Sequence, residues 1–129
     1  MHEVSVMSDI INAVLDELKG HDVRAVEELT IVIGDLTNLG ADQMGFAFEV
    51  MTKDTILSGA KLTIDREPVR LLCKECSYDG KAEILRNEGY DHSIPILSCP
   101  KCKGPVKVTE GMSCRIRSIR IKEGGDVQV

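Results

Sequence analysis

The sequence predicts an α+β fold: a three-stranded sheet with two helices, interrupted by a small β-rich insert. Three observations carry this. Helical and strand periodicities alternate over roughly the first half of the chain. Composition changes at Pro68, and a strand pattern returns only after Gly111. Four cysteines, in two C-x-x-C pairs, lie between those points. At 129 residues the chain is long enough for one ordinary domain carrying such an insert.

The elements follow in order. Val6, Met7, Ile10, Ile11, Val14, Leu15 and Leu18 recur at helical spacing. Ser5 is a plausible N-cap for that helix and Gly20 a plausible stop. His21 falls just past the end, where a partly charged imidazole suits the helix dipole. Val26 to Gly34 alternates, with Leu29, Ile31 and Ile33 on one face, and reads as a strand. Asp35 to Gly40 is a loop. Met44, Ala47, Phe48 and Met51 then mark a second helix from about Ala41 to Lys53, with these side chains in the core. After a turn over Thr55 to Gly59, Lys61 to Asp65 is a second strand. Pro68 ends it, since proline cannot donate to a ladder. The run MSCRIRSIRIK supplies a third strand. Cys114 and Ile116 are out of phase there with Ile119 and Ile121, so a one-residue bulge near Ser118 is expected. Cys114 reads as a small buried apolar side chain, with a reactive or ligating thiol as the alternative. Gly124 to Val129 looks like a tail. The expected main domain is therefore discontinuous, residues 1–68 and 111–129, with the insert at 69–110.

The insert is organised by Cys73 and Cys76 in LLCKECSYDG and by Cys99 and Cys102 in LSCPKCKG. A two-residue gap lets one tight turn aim two thiolates at one ion. Two such turns make a closed, all-thiolate tetrahedral cage, the arrangement of structural zinc. The 22 residues between Cys76 and Cys99 can form two strands and a loop that bring the pairs together. Few large apolar groups lie in the insert, so metal is expected to hold it folded. Iron fits the same cage. Two disulfides fit poorly, because C-x-x-C bridges are strained and nothing suggests an oxidising compartment. No apolar run is long enough to span a membrane and no secretory leader is evident, so a cytoplasmic protein is expected.

A net charge of −5 and 3% aromatic residues argue against a nucleic-acid binder. No G-x-S-x-G, phosphate-binding glycine loop or H-E-x-x-H occurs, and a filled cage has no open position for catalysis. The chain reads as a binding module rather than an enzyme. Its start is unusual. Met1 should be retained, because a histidine follows it. A free amine, the His2 and Glu3 amide nitrogens and the His2 imidazole then share one short peptide. Such nitrogen donors suit Ni(II) and Cu(II). The Glu3 carboxylate could ligate, orient the imidazole or contact a recipient. His92, in GYDHSIPIL, is either a solvated loop residue or a contributor to the same site.

The MHEVSVM start on an amphipathic helix, a strand–helix–strand unit, C-x2-C-x22-C-P-x-C and a final strand with R-S-I together resemble the HypA/HybF family of hydrogenase nickel-incorporation proteins. The resemblance covers essentially the whole chain. It implies a nickel metallochaperone for [NiFe]-hydrogenase maturation, some members also serving urease. It implies nickel at the MHE start, with His2 as ligand and Glu3 assisting, and structural zinc on Cys73, Cys76, Cys99 and Cys102. It further implies the GTPase HypB and the hydrogenase large subunit as partners. The first helix, with Asp9 and Asp16 on its polar side, is the expected docking surface. Arg115, Arg117 and Arg120 stand where acidic residues are common in the family, and Cys114 where an aliphatic one is usual. A zinc-ribbon adaptor of nucleic-acid or transcription machinery is the competing reading, and an iron electron-transfer protein a further one.

Overall fold

The computed structural model describes residues 2–85 and 94–123. Helix α1 spans Glu3–Leu18 and strand β1 Val23–Gly34. A short 3-10 turn, Asp35–Thr37, leads to helix α2, Ala41–Met51. Strands β2 (Lys61–Glu67), β3 (Arg70–Cys73), β4 (Asp79–Lys81), β5 (Ile84–Leu85), β6 (Ile94–Pro95), β7 (Val106–Glu110) and β8 (Cys114–Glu123) complete the chain. The chain divides into two compact units. The first comprises Met1–Ile31, Leu39–Asp65 and Arg115–Val129; the second comprises Val32–Asn38 and Arg66–Cys114.

In the first unit the apolar stripe of α1 buries Met7, Ile10, Ile11 and Val14. Full burial of each such side chain is worth about 1.5–3 kcal/mol. Met44, Ala47 and Phe48 of α2, Val26, Leu29 and Ile31 of β1, and Leu39 and Leu57 complete this core. The two helices pack on one another. The sheet order is β2-β1-β8, the three-stranded sheet expected. Helix α1 starts earlier than the sequence suggested. Its N-cap is His2, not Ser5, because the His2 carbonyl already accepts the Val6 N–H at 3.0 Å. An acidic Glu3 in the first turn suits the positive end of the helix. In β8, Arg117 and Ser118 are both exposed between half-buried Ile116 and Ile119, so the phase shifts where the sequence placed a bulge.

The second unit contains a sheet of order β4-β3-β7 and the two-stranded ladder β5-β6. Strand β3 pairs antiparallel with both neighbours, Leu72 opposite Asp79 and Cys73 opposite Val106. Val32–Asn38 belongs to this unit although the helix-and-strand pattern of the first half runs straight through it. The reason is a close backbone crossing. The Gly34 N–H donates to the Ser113 carbonyl at 2.8 Å, and the Leu36 N–H to the Gly111 carbonyl at 2.9 Å. A Cβ on Gly34 would lie 2.2 Å from the Gly111 oxygen, so only glycine allows the approach. Gly111 itself has φ 96°, and its N–H donates to Glu67 Oε1 at 2.9 Å.

Candidate metal centre

The strand pairings assemble the cysteines. Strand β3 ends at Cys73, and the chain turns through Cys76 into β4. The second pair immediately precedes β7, which pairs back onto β3 with Val106 opposite Cys73. The ladder therefore carries Cys99 and Cys102 to the first turn.

The two turns are built alike. In the first, the Cys73 N–H donates to the Tyr78 carbonyl at 2.8 Å and the Ser77 N–H to the Cys73 carbonyl at 3.1 Å. In the second, the Cys99 N–H donates to the Gly104 carbonyl at 3.1 Å and the Lys103 N–H to the Cys99 carbonyl at 2.9 Å. Ser77 and Lys103, four residues after the leading cysteines, both take the left-handed conformation, at φ 66° and 64°. The sequence reading missed these two residues, since neither is the glycine that signals such a turn. Only their equal offset from the leading cysteine could have flagged them.

The four sulfurs lie within 4.8 Å of one another. Cys73 Sγ is 3.6 Å from Cys102 Sγ, and Cys76 Sγ is 3.4 Å from Cys99 Sγ. A tetrahedral ion with Zn–S bonds of about 2.3 Å requires about 3.8 Å between sulfurs, so the cage fits zinc. No two of the five cysteines are bonded to one another. Cys73 and Cys99 are buried; Cys76 and Cys102 are exposed. The N–H groups of Lys101 and Cys102 both approach Cys99 Sγ at 3.4 Å. Burial pushes the Cys99 thiol up, but the Cys102 and Lys101 amides and the neighbouring thiols outweigh it and bring it down to about 6. At Cys102 the Gly104 N–H pulls down, but Cys73, burial, Cys76 and Cys99 push the thiol up to about 12. Four thiols this close cannot all ionise alone. A divalent cation supplies the charge that lets the last protons leave, so metal binding releases protons.

At the other motif, His2 is exposed at the start of α1, with φ 149° and no side-chain capping bond. Glu3 is half-buried. Its Oε2 accepts the N–H of Gly40, the N-cap of α2, at 2.9 Å. That bond first, and its own main-chain N–H second, hold the Glu3 carboxyl below its ordinary range. Nothing local to Glu3 marks Gly40 as its partner, since the two lie 37 residues apart. Among the described residues, the four cysteines form the one group of three or more side-chain donors placed to hold a metal. Met1 and His92 lie outside the described residues, as does 124–129. Cys114 is half-buried rather than fully buried.

Residues 1–121 match the family described as hydrogenase/urease nickel incorporation metallochaperone, HypA. The chain belongs to the HypA family. It is 36% identical over 124 residues to the hydrogenase maturation factor HypA of Methanothermobacter thermautotrophicus, covering 95% of this chain and 98% of that one. The Methanocaldococcus jannaschii HypA is 32% identical over 129 residues, covering 95% and 98%. Among solved structures, the Helicobacter pylori nickel metallochaperone HypA superposes with a TM-score of 0.64 at 28% identity, covering 94% of this chain and 97% of that one. A second solution structure of a HypA protein gives 0.66 at 27% identity, covering 95% and 97%. Within the HypA family the function is that of a nickel metallochaperone in hydrogenase maturation. Nickel is its cargo, and the four-cysteine cluster suits structural zinc.

Proposed function

We propose that this HypA-family chain binds Ni(II) at its first three residues and hands it on without catalysing a reaction. The Met1 amine, the amide nitrogens of His2 and Glu3 and the His2 imidazole are the donors. The observation that carries this is the exposed His2 immediately before helix α1, with the Glu3 carboxylate tied to Gly40. The first N–H groups of a helix lack intrahelical acceptors, so amide nitrogen is at hand there. Cys73, Cys76, Cys99 and Cys102 hold zinc and fold the segment around it. On this reading residues 1–68 and 111–129 are the nickel-binding domain and 69–110 the zinc-binding domain, a functional division that differs from the two compact units at 32–38, 66–68 and 111–114.

The partners are the GTPase HypB and the hydrogenase large subunit, met in the cytoplasm. Among the described residues no helix is long and apolar enough to cross a membrane. Docking near the nickel is favoured because transfer requires proximity. Val4 on α1, and Phe46 and Val50 on α2, are exposed apolar side chains suited to it, with Asp9 and Asp16 on the polar side of α1. Reversing both aspartates should weaken the HypB complex at least several-fold in a binding titration. Wild-type affinity would move the docking surface elsewhere.

Titration of zinc-loaded protein with Ni(II) tests the site itself. His2→Ala removes the imidazole without touching the core, so affinity should fall at least tenfold with zinc content intact. Affinity should also fall as pH is lowered, because protons compete for the imidazole and the amine. Unaltered nickel binding by His2→Ala would overturn the assignment.

A further inference from the structure

Strand β8 lies at one edge of the sheet β2-β1-β8, and among the described residues no strand pairs with its outer side. An open edge presents unpaired N–H and C=O groups, a template for another strand. Beside it lies a groove of about 350 Å³ between the end of α1 and β8. Leu18, Ile116, Ile119 and Ile121 give the groove apolar walls, and His21 lies at the α1 end. The three isoleucines are only half-buried, so apolar surface is left showing beside free backbone. Ile119 and Ile121 are two residues apart, the spacing at which an added strand would present its own alternate side chains.

Charge selects the occupant. The exposed side chains of β8 include Arg115, Arg117, Arg120 and Lys122. Arg117 donates to Asp65 Oδ2 at 2.7 Å, and Arg120 to Glu28 Oε1 at 2.8 Å and Glu27 Oε1 at 3.2 Å. Both arginines nevertheless stay more than half exposed, at 56% and 63%, with donors left for a second carboxylate. Pairing with a second copy would set these cations against themselves, and like charges across a ladder are destabilising. An acidic strand would meet them favourably.

We propose that the open edge of β8 is a docking site for an extended acidic segment of a partner protein, whose alternate apolar side chains enter the groove beside Leu18. The added strand takes main-chain hydrogen bonds from β8, its apolar side chains meet Ile119 and Ile121, and its carboxylates meet the β8 cations. This surface is distinct from the N-terminal nickel site, and it stands or falls independently of it.

Capped octapeptides, alternating valine–glutamate and alternating valine–lysine, serve as probes of the full-length, zinc-loaded protein. Amide shifts report the site and titration the affinity. The acidic peptide should move amides of β8 and bind at least tenfold tighter than the basic one. The net charge of −5 would by itself favour the opposite order. N-methylating one alternate set of peptide amides should abolish binding, while methylating the other set should be tolerated. Arg115→Glu with Lys122→Glu should bring the two unmethylated peptides within about threefold of each other. Equal binding of both peptides to the unaltered protein, tolerance of methylation on both sets, or shifts confined to another surface would overturn the proposal. A concentration-dependent dimer that protects β8 amides would overturn it in favour of a second copy.

Discussion

At Glu3 the carboxylate already has a partner in the native fold, the Gly40 N–H. It acts as a side-chain cap for the start of α2, reaching across from α1. Loss of a helix cap costs about 0.5–2 kcal/mol. Glu3→Ala should therefore lower stability to urea by about 1 kcal/mol and raise hydrogen exchange at the Gly40 amide. Glu3→Gln keeps an acceptor and should cost less. Unchanged exchange at Gly40 in the alanine variant would show that the bond does not hold the helix start. Gly34 is a second such position. Its Cβ would meet backbone, which cannot rotate aside as a side chain can. Gly34→Ala should destabilise the protein by at least about 1–3 kcal/mol, the range for forced overpacking, leaving zinc stoichiometry at one in whatever remains folded. A thermal midpoint equal to wild type would contradict the close crossing.

The elements with strong periodicity were legible in the sequence. The apolar stripe of α1 depends on neighbours within a few residues and appears where expected. Strands β1 and β2 form where they were placed, but burial does not alternate cleanly in them. Val32 is buried between Ile31 and Ile33, and Leu62 to Asp65 are all half-buried. What was not legible depends on distant backbone. The helix start moved from Ser5 to His2, and Val32–Asn38 joined the second unit through bonds to Gly111 and Ser113. The clustering of the four cysteines was legible, because C-x-x-C encodes its own turn. The left-handed Ser77 and Lys103 were not. Between the sheet strands, Glu28 accepts from the Thr63 hydroxyl and from Arg120. The Thr63 bond first, then Arg120 and Lys61, outweigh burial and hold the Glu28 carboxyl below the ordinary 4.5. A carboxyl lowered on folding stabilises fully above its unfolded pKa, and that contribution is lost as pH falls through the lowered value. Glu28→Gln should thus flatten the fall in stability below about pH 4.5, read from urea midpoints across pH 2–6. An identical acid limb in both proteins would contradict this role for Glu28. For the zinc unit, Cys76→Ala removes one ligand of a cage worth on the order of 10 kcal/mol of folding energy in small zinc peptides. Amide protection should be lost across β3, β4 and β7 and kept in α1 and α2. Protection retained in β3 of a zinc-free variant would deny the metal a structural part.

Across the whole molecule, the proposed function gives two metals sites of opposite chemistry. The four-cysteine cluster, filled by zinc, would leave the ion no open position, which suits a permanent structural ion. The start of α1 offers an exposed imidazole and main-chain nitrogen, which suits an ion that must be given away. The central claim is that nickel needs the free amine at Met1. Extending the chain by Gly-Ser before Met1 turns that amine into a peptide nitrogen while leaving every side chain in place. The deciding measurement is an isothermal titration of zinc-loaded protein with Ni(II), comparing the unextended chain with the Gly-Ser form. The account predicts a loss of at least tenfold in affinity on extension, with fold and zinc content unchanged. Equal affinity in the two forms would contradict it.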